Sequence, residues 1–349
     1  MSDHQAAAVD ESSDAAGAAP ARRRSRLAAL GALAGSRPVR WGFVAATVGL
    51  GGYAVAREWP SVSADLARLG LLTVAGALVS VLLALLAAME VWRRLLAALG
   101  SPLPVRAAAR IMFIGQLGKY LPGSVWPVLA QMELGNAYRV PRHRSASAAV
   151  LLMVFSLLSG LLTALVALPF VAGSTPYLWA LLAAPVLLVA LYPRVLNLVL
   201  GRLLRLARRP PLEKPLTGRA IATALTWAFA SWILYGLQIW LLATRLGAPG
   251  GKTALLAVGG FAFAWSVGFL VVFAPAGAGV RDVLLVASLH PVLSVSAATA
   301  VALVSRLVLT GGDLLTAAVA AGFTRRPGLP PGPGSAEAGT AEDQGPASG

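Results

Sequence analysis

The sequence predicts an all-α fold, a polytopic bundle of about six to eight transmembrane helices, and its composition is the first observation behind this prediction. Of the 349 residues, 57% are hydrophobic and 12% are charged. Soluble domains carry about 25% charged residues, so this chain has too little charge to cover a water-soluble globule of its size. Long apolar runs, and basic loops between those runs, are the second and third observations. We therefore expect the bilayer to be the solvent of this chain.

The apolar runs set the expected spans. An α-helix rises about 1.5 Å per residue, so about 20 residues cross a hydrocarbon core of about 30 Å. Most of the runs qualify, whereas the first and the fifth are short and need flanking residues. The eight runs cover residues 41–56, 69–89, 111–130, 145–170, 177–192, 220–243, 253–280 and 294–322. We expect a transmembrane domain at 41–323, a disordered basic cytoplasmic tail at 1–40 and a disordered tail at 324–349.

The loops predict the orientation. Four of them, the tail before Trp41 and residues 90–110, 131–144 and 193–219, together hold twenty Lys or Arg. The alternate loops, 57–68 and 244–252, hold four. Because cytoplasmic loops are enriched in Lys and Arg, we expect a multi-pass protein of the inner (plasma) membrane with a cytoplasmic amino terminus.

The run 111–130 does not fit a simple crossing. The loops before and after it are both basic, so the charge bias holds only if the chain enters and leaves on the same side. Gly118, Lys119, Pro122, Gly123 and Pro127 interrupt its apolar character. Irregular backbone survives at membrane depth only where protein or a water-filled cavity surrounds it. We therefore predict a re-entrant hairpin here.

The run 253–280 carries the same kind of interruption, at Pro275, Gly277 and Gly279. A second hairpin, entered from outside, would divide the chain into halves of opposite orientation at 41–170 and 177–323. Many transporters use such an inverted repeat, and their paired broken segments mark the substrate site. The alternative is an uninterrupted span at 253–273, which would leave the carboxyl terminus outside.

Composition also excludes several classes of function. The chain has no cysteine, and its three histidines, His4, His143 and His290, are too scattered to suggest a zinc site. The net charge of +15 lies mainly between the apolar runs, which indicates a topology signal and not a nucleic-acid surface. We expect no cofactor, no metal and no nucleic-acid partner, and membrane lipids as the main partner.

Two motifs carry a resemblance to a known family. Residues 115–127 read GQLGKYLPGSVWP, and residues 274–282 read APAGAGVRD. The pair resembles the membrane region of lysylphosphatidylglycerol synthases and their stand-alone flippase-like relatives, which combine a Leu-Pro-Gly element with a later Gly-x-Gly-Val-Arg-Glu element. The resemblance covers roughly residues 41–323. Asp282 stands where the family usually has Glu, and Val125-Trp126-Pro127 replaces a more polar run.

The resemblance implies a flippase-like membrane domain, and we expect no aminoacyl-transfer domain after residue 323. Within the motifs, Lys119 and Arg281 suit a lipid phosphate, Lys as a point charge and Arg as a bidentate donor. The alternative is that Pro and Gly kink packed helices while both cations reach the headgroup region. The candidate substrate-binding residues are Gln116, Lys119, Tyr120, Pro122, Gly123, Gly277, Gly279 and Arg281. Trp126 and Gln131 could line the same cavity, but Trp and Tyr are equally expected in interfacial belts, and for Trp126 we favour the belt.

The last apolar run carries charges on one helical face, because Arg306, Thr310 and Asp313 follow one another at i, i+4 and i+7. Two central charges cost about 5 to 7 kcal/mol on insertion, against about 3 to 6 kcal/mol returned by ten Leu or Val. This face should therefore point into the bundle. Together with Glu90 and Asp282, we expect Arg306 and Asp313 to serve gating or coupling. A structural pair joining the two halves is the alternative.

The leading functional hypothesis is a flippase or transporter-like protein for an anionic amphiphile, such as a phospholipid or a polyprenyl-phosphate-linked sugar. The first alternative is an intramembrane enzyme on lipid-linked substrates, for which Asp282 and Glu90 are the only plausible carboxylates. No paired catalytic motif supports it, and we expect no catalytic residues. The second alternative is a scaffold that holds a cytosolic glycosyltransferase or synthase through basic loops such as 193–219.

Overall fold

A computed structural model describes residues 59–120, 125–165, 183–206, 215–270 and 279–323. These residues form eleven α-helices and one 3₁₀ turn, and no strand occurs among them, which confirms the all-α fold. The helices are α1 Trp59–Leu69, α2 Leu71–Ala98, α3 Val105–Gln116, α4 Trp126–Asn136, α5 Arg142–Ala164, α6 Ala183–Leu191, α7 Pro193–Leu206, α8 Gly218–Arg245, α9 Gly250–Leu270, α10 Val280–Leu289 and α11 Val295–Ala321. The 3₁₀ turn, Leu117–Tyr120, follows α3 directly.

Five of these helices, α2, α5, α8, α9 and α11, are long and apolar enough to cross a membrane. This confirms a multi-pass membrane protein. The predicted first span at 41–56 and both predicted tails lie outside the described residues. Residues 177–182 of the predicted fifth span also lie outside them.

Helix α2 is longer than the sequence predicts. The apolar run was expected to end at Met89, yet α2 continues to Ala98, so Glu90 lies within a helix and not in a loop. Glu90 accepts hydrogen bonds from Arg93 at 2.7 Å and Arg94 at 3.3 Å. Because these partners are three and four residues away on the same helical face, their charges are paired without ending the helix.

Helices α3 and α4 form an antiparallel pair, which we call hairpin 1. A Cβ atom on Gly118 would lie 2.8 Å from the backbone nitrogen of Pro127, and one on Gly115 would lie 2.8 Å from Gln131 Cγ. The two arms contain 12 and 11 residues, or about 16 to 18 Å at 1.5 Å per residue. Each arm therefore spans about half of a hydrocarbon core of about 30 Å.

Helices α9 and α10 form a second antiparallel pair, hairpin 2. Its arms are in contact at Gly260, where a Cβ would lie 2.7 Å from Ser288 Cβ, and at Gly268, where it would lie 3.2 Å from Arg281 Cβ. The arms are unequal, since α9 has 21 residues and α10 has 10. The first arm is thus long enough to cross the membrane, whereas the second is not.

Two contacts fix the direction of α11. At its carboxyl end, Arg110 Nη1 of α3 donates hydrogen bonds to the carbonyl oxygens of Ala321 at 2.9 Å and Phe323 at 2.7 Å. At its amino end, Ser296 Oγ donates to Asp65 of α1 at 3.0 Å. Helix α11 therefore ends at the end of the bundle where α3 begins. A hairpin at residues 253–280 requires this direction of α11, whereas the alternative, an uninterrupted span, requires the opposite direction.

The described helices repeat one order twice, a long helix, a hairpin and another long helix: α2, hairpin 1 and α5, then α8, hairpin 2 and α11. The first helices of the two halves, α2 and α8, pack against each other, and each hairpin packs against the last helix of both halves. Small residues permit close approach, as at Gly312, where a Cβ would lie 2.8 Å from Val81 of α2. The fold thereby brings both hairpins onto α11.

Candidate functional site

The ends of both hairpins meet α11 at a small cavity of about 80 Å³. Five of its lining side chains are charged, although the cavity lies among helices that are apolar enough to cross a membrane. Its lining consists of Leu85, Lys119, Tyr120, Tyr235, Phe261, Trp265, Arg281, Asp282, Arg306, Leu309, Thr310 and Asp313.

Hairpin 1 is joined to α11 at Asp313. Lys119 Nζ lies 2.6 Å from Asp313 Oδ2, and the Tyr120 hydroxyl donates a hydrogen bond to the same oxygen at 2.6 Å. The Asp313 side chain is almost fully buried, whereas Lys119 is one-third exposed. Lys119, predicted as a phosphate ligand, is thus held by a carboxylate from the opposite half of the chain.

Hairpin 2 is joined to α11 at Asp282. Its Oδ2 accepts a hydrogen bond from Arg306 Nη1 and another, at 3.1 Å, from the backbone N–H of Gly279. The second bond caps the first turn of α10, where helix N–H groups otherwise lack partners. Gly279 has a φ of 85°, a left-handed value that favours glycine. The backbone conformation of this cap therefore explains why a glycine occupies position 279.

Arg281 differs from the other two cations of the cavity. No ion pair joins it to a carboxylate of the described residues, and its Nε is buried without a hydrogen-bond partner among them. Its guanidinium lies 4.9 Å from the centre of the Phe261 ring. The cavity lining therefore holds three cations and two carboxylates, and the unpaired positive charge belongs to Arg281. A buried charge without a partner is costly, so an anion entering this cavity would stabilise it.

Arg306, Thr310 and Asp313, which the sequence places on one face of the last helix, all line the cavity. Arg306 and Asp313 do not pair with each other. Each pairs with a residue of a different hairpin, and they lie about 10 Å apart along α11 at 1.5 Å per residue.

Other predicted site residues lie elsewhere. Glu90 pairs with Arg93 and Arg94 and does not line the cavity. Gln116 and Gln131 both turn their amide nitrogens toward Met112 Sδ, at 3.8 and 3.7 Å. Trp126, on the first turn of α4, is exposed and also lies outside the cavity lining. Pro122, Gly123 and Gly277 fall outside the described residues.

The sequence prediction missed the aromatic wall of the cavity, which Tyr235, Phe261 and Trp265 form. One signal was present, since Phe261, Trp265 and Phe269 follow one another at i, i+4 and i+8 on one face of α9. Such a stripe is also ordinary in a membrane helix, so only its position beside Arg281 distinguishes it. Within the described residues, no group of three or more His, Asp or Glu has the arrangement of a metal site.

Apolar side chains border the charged ones on the outer surface of the bundle. Val283, Leu307 and Leu314 directly follow Asp282, Arg306 and Asp313 in sequence, and all three are more than half exposed. Exposed large apolar side chains on a membrane helix are suited to acyl chains. These three side chains do not line the cavity, but they make the surface of α10 and α11 beside it suited to the tails of an amphiphile.

The family model described as the lysylphosphatidylglycerol synthase TM region matches residues 39–315, well over half of the chain. The matched range contains both hairpins and every residue that lines the cavity. No curated protein matches the chain.

Proposed function

The chain belongs to the family of lysylphosphatidylglycerol synthase transmembrane regions, and on this premise we propose that it binds an anionic lipid headgroup in the cavity and moves that lipid between leaflets. The observation that carries the proposal is Arg281, a cation of the cavity that forms no ion pair among the described residues because the nearby Asp282 and Asp313 are paired with Arg306 and Lys119. A guanidinium offers a planar fork of donors that fits two oxygens of a phosphate. The exposed apolar side chains of α10 and α11 support a lipid over a water-soluble anion.

The two ion pairs on α11 support a gating role for Asp282, Arg306 and Asp313. A phosphate that approaches Lys119 competes with Asp313 for the same ammonium group, so binding weakens the contact between hairpin 1 and α11. Hairpin 2 keeps its own contact through Asp282 and Arg306. Alternate release of the two hairpins would open the cavity first toward one leaflet and then toward the other, as in transporters built from inverted repeats.

The distribution of charge supports the membrane placement within this proposal. Arg93, Arg110, Arg144 and Arg219 lie at the end of the bundle where α3 and α8 begin. Arg245 and Lys252 lie at the opposite end. Because the basic end of a membrane protein faces the cytoplasm, both hairpins would be re-entrant, hairpin 1 from the cytoplasm and hairpin 2 from outside. The inner (plasma) membrane and a cytoplasmic amino terminus are part of this proposal.

Proteoliposomes with a fluorescent anionic phospholipid test the function. We expect the wild-type protein to move the lipid between leaflets, and the double variant Lys119→Ala, Arg281→Ala to lose most of this rate because two of the three cations of the cavity are removed. The matched control is Arg219→Ala, Lys252→Ala, which removes two exposed cations outside the cavity and should keep the rate. Equal rates for the wild type and the cavity variant would exclude the proposal.

An enzyme would change the mass of a lipid, whereas a flippase changes only its leaflet. Mass spectrometry of lipids after incubation with the purified protein therefore separates these two hypotheses. Glu90, one of the two carboxylates named for an enzyme, pairs with two arginines outside the cavity. Glu90 and Asp282 therefore do not form a catalytic pair in this cavity. The scaffold hypothesis predicts co-purification with a glycosyltransferase or synthase at a fixed stoichiometry.

A further inference from the structure

Arg281 lies on a stack of aromatic rings. Its guanidinium is 4.9 Å from the centre of the Phe261 ring, and the Tyr235 ring stacks on Phe261 with their centres 5.4 Å apart at an angle of 24°. Phe261 is 1% exposed, so it cannot turn away without disturbing the core. Trp232 packs against both rings, at 6.1 and 6.4 Å.

Two glycines of α9 let α10 come close enough for this contact. Gly260 precedes Phe261 and lies against Ser288, and Gly268, two turns later, lies against the Cβ of Arg281. A side chain at either glycine would push α10 outward, because an added Cβ would lie 2.7 or 3.2 Å from its neighbour. The approach of the two helices therefore places Arg281 over the ring.

The stack and the two carboxylates hold their cations in different ways. Asp313 and Asp282 neutralise Lys119 and Arg306, since each pair brings together opposite whole charges. An aromatic face attracts a cation through its quadrupole and carries no net charge. The cation over Phe261 is thus held in position while its positive charge stays available.

We infer that Phe261 and Tyr235 are positioning residues that hold Arg281 without neutralising it, and that Arg281 on this platform lets the cavity select anionic over zwitterionic headgroups. This inference rests on the proposed function and adds the source of its selectivity. The ligand class is a lipid phosphate whose headgroup has no compensating cation. A zwitterionic headgroup brings its own positive charge close to Arg281, and like charges at close range repel.

The test uses the full-length protein in nanodiscs that contain equal amounts of phosphatidylglycerol and phosphatidylcholine. Native mass spectrometry gives the ratio of the two lipids retained on the protein after extraction. We expect the wild type to favour phosphatidylglycerol about tenfold, as for one differential charge contact worth about 1.4 kcal/mol. Phe261→Leu should reduce this ratio several-fold, toward one, and Phe261→Tyr should keep it because the ring face remains.

The matched control is Phe263→Leu on the same helix. Phe263 is 37% exposed and takes part in none of the ring contacts among the described residues, so its substitution should leave the ratio unchanged. Thermal unfolding in detergent shows whether Phe261→Leu folds. If it does not, Tyr235→Leu, which removes the other ring of the stack, is compared with Phe261→Tyr, which keeps both rings, and the lipid ratio should fall only in Tyr235→Leu.

The outcomes separate the two claims. A wild-type ratio in Phe261→Leu, together with loss of the preference in Arg281→Ala, would overturn the aromatic platform and leave the proposed function standing. A wild-type ratio in Arg281→Ala would overturn both. Displacement of the retained phosphatidylglycerol by millimolar inorganic phosphate would overturn the assignment of a lipid as the ligand.

Discussion

The last helices of the two halves, α5 and α11, occupy corresponding places in the repeated order but contact hairpin 2 by different means. Helix α11 carries Arg306 and Asp313 and forms ion pairs with both hairpins. Helix α5 carries Ser159, Gly160 and Thr163 in the region that faces hairpin 2. There a Cβ on Gly160 would lie 2.7 Å from Ser266 Oγ of α9, so the contact is made by tight packing.

The hydroxyl groups of α5 are satisfied locally. Ser159 Oγ donates to Phe155 O at 2.6 Å, Thr163 Oγ1 donates to Ser159 O at 2.8 Å, and Trp232 Nε1 donates to Ser159 Oγ at 3.0 Å. Where α5 faces hairpin 2, these residues therefore carry no charge that a ligand could exchange, and the ion pair of α5 with hairpin 1, between Arg142 and Glu133, is exposed on the surface. Under the proposed function we expect the α11 side to be the one that opens, because ion pairs accept a competing anion whereas close packing has one arrangement.

The largest effect is expected at Asp313. Asp313→Ala removes the common partner of Lys119 and Tyr120 and leaves a partly buried cation unpaired, which should lower the free energy of unfolding by about 2 to 4 kcal/mol. Thermal or denaturant unfolding in detergent measures this loss. The control is Glu133→Ala, since Glu133 pairs with Arg142 on the surface and exposed pairs contribute about 0 to 1 kcal/mol. Similar losses in the two variants would contradict the account of α11.

A smaller loss of stability, with no direct effect on selectivity, is expected on the α5 side. Gly160→Ala would place a methyl group 2.7 Å from Ser266 Oγ and 2.9 Å from Trp232, and such overpacking costs about 1 to 3 kcal/mol. Gly311→Ala on α11 is the control, because nothing lies within 4 Å of its added Cβ. That variant should be neutral or stabilised by up to about 1 kcal/mol. Equal destabilisation by both would show that α5 is not the tightly packed side.

The smallest effect is expected at Asp282, where the family usually has Glu. Asp282→Glu keeps a carboxylate at the third position of α10, where a Glu side chain can also accept a hydrogen bond from the backbone N–H of the residue before the helix. Lipid movement should therefore stay within about twofold of the wild type. Asp282→Asn removes the charge that faces Arg306 and should slow lipid movement more than Asp282→Glu does. A reversed order in the proteoliposome assay would show that the length of this side chain matters more than its charge.

The sequence predicts the apolar helices, the two interruptions and the polar face of the last helix, because each depends on spacing within a short segment. It does not predict the partner of each charge. Lys119 and Asp313 are 194 positions apart, and their contact depends on how deep hairpin 1 reaches along α11. Glu90 was placed in a loop because a charge after an apolar run resembles a helix end, whereas Arg93 and Arg94 pair with it inside the helix.

The aromatic platform illustrates the same limit. Phe261 and Tyr235 belong to different helices and are ordinary residues of a membrane span by sequence alone. Only the packing of α9 against α10, which Gly260 and Gly268 permit, places Arg281 over them. The chemistry of this cavity thus arises from tertiary contacts between segments whose own patterns predict only helices.

Photo-cross-linking tests the central claim most directly. A phosphatidylglycerol analogue with a diazirine in its headgroup is added to the protein in nanodiscs, and the labelled peptides are identified by mass spectrometry. We predict labelling of peptides from residues 279–323 and from Lys119 or Tyr120, lost in Arg281→Ala but retained in Arg245→Ala, whose exposed cation lies at another end of the bundle. Labelling of these peptides that Arg281→Ala leaves unchanged would contradict the claim that this cavity holds the headgroup.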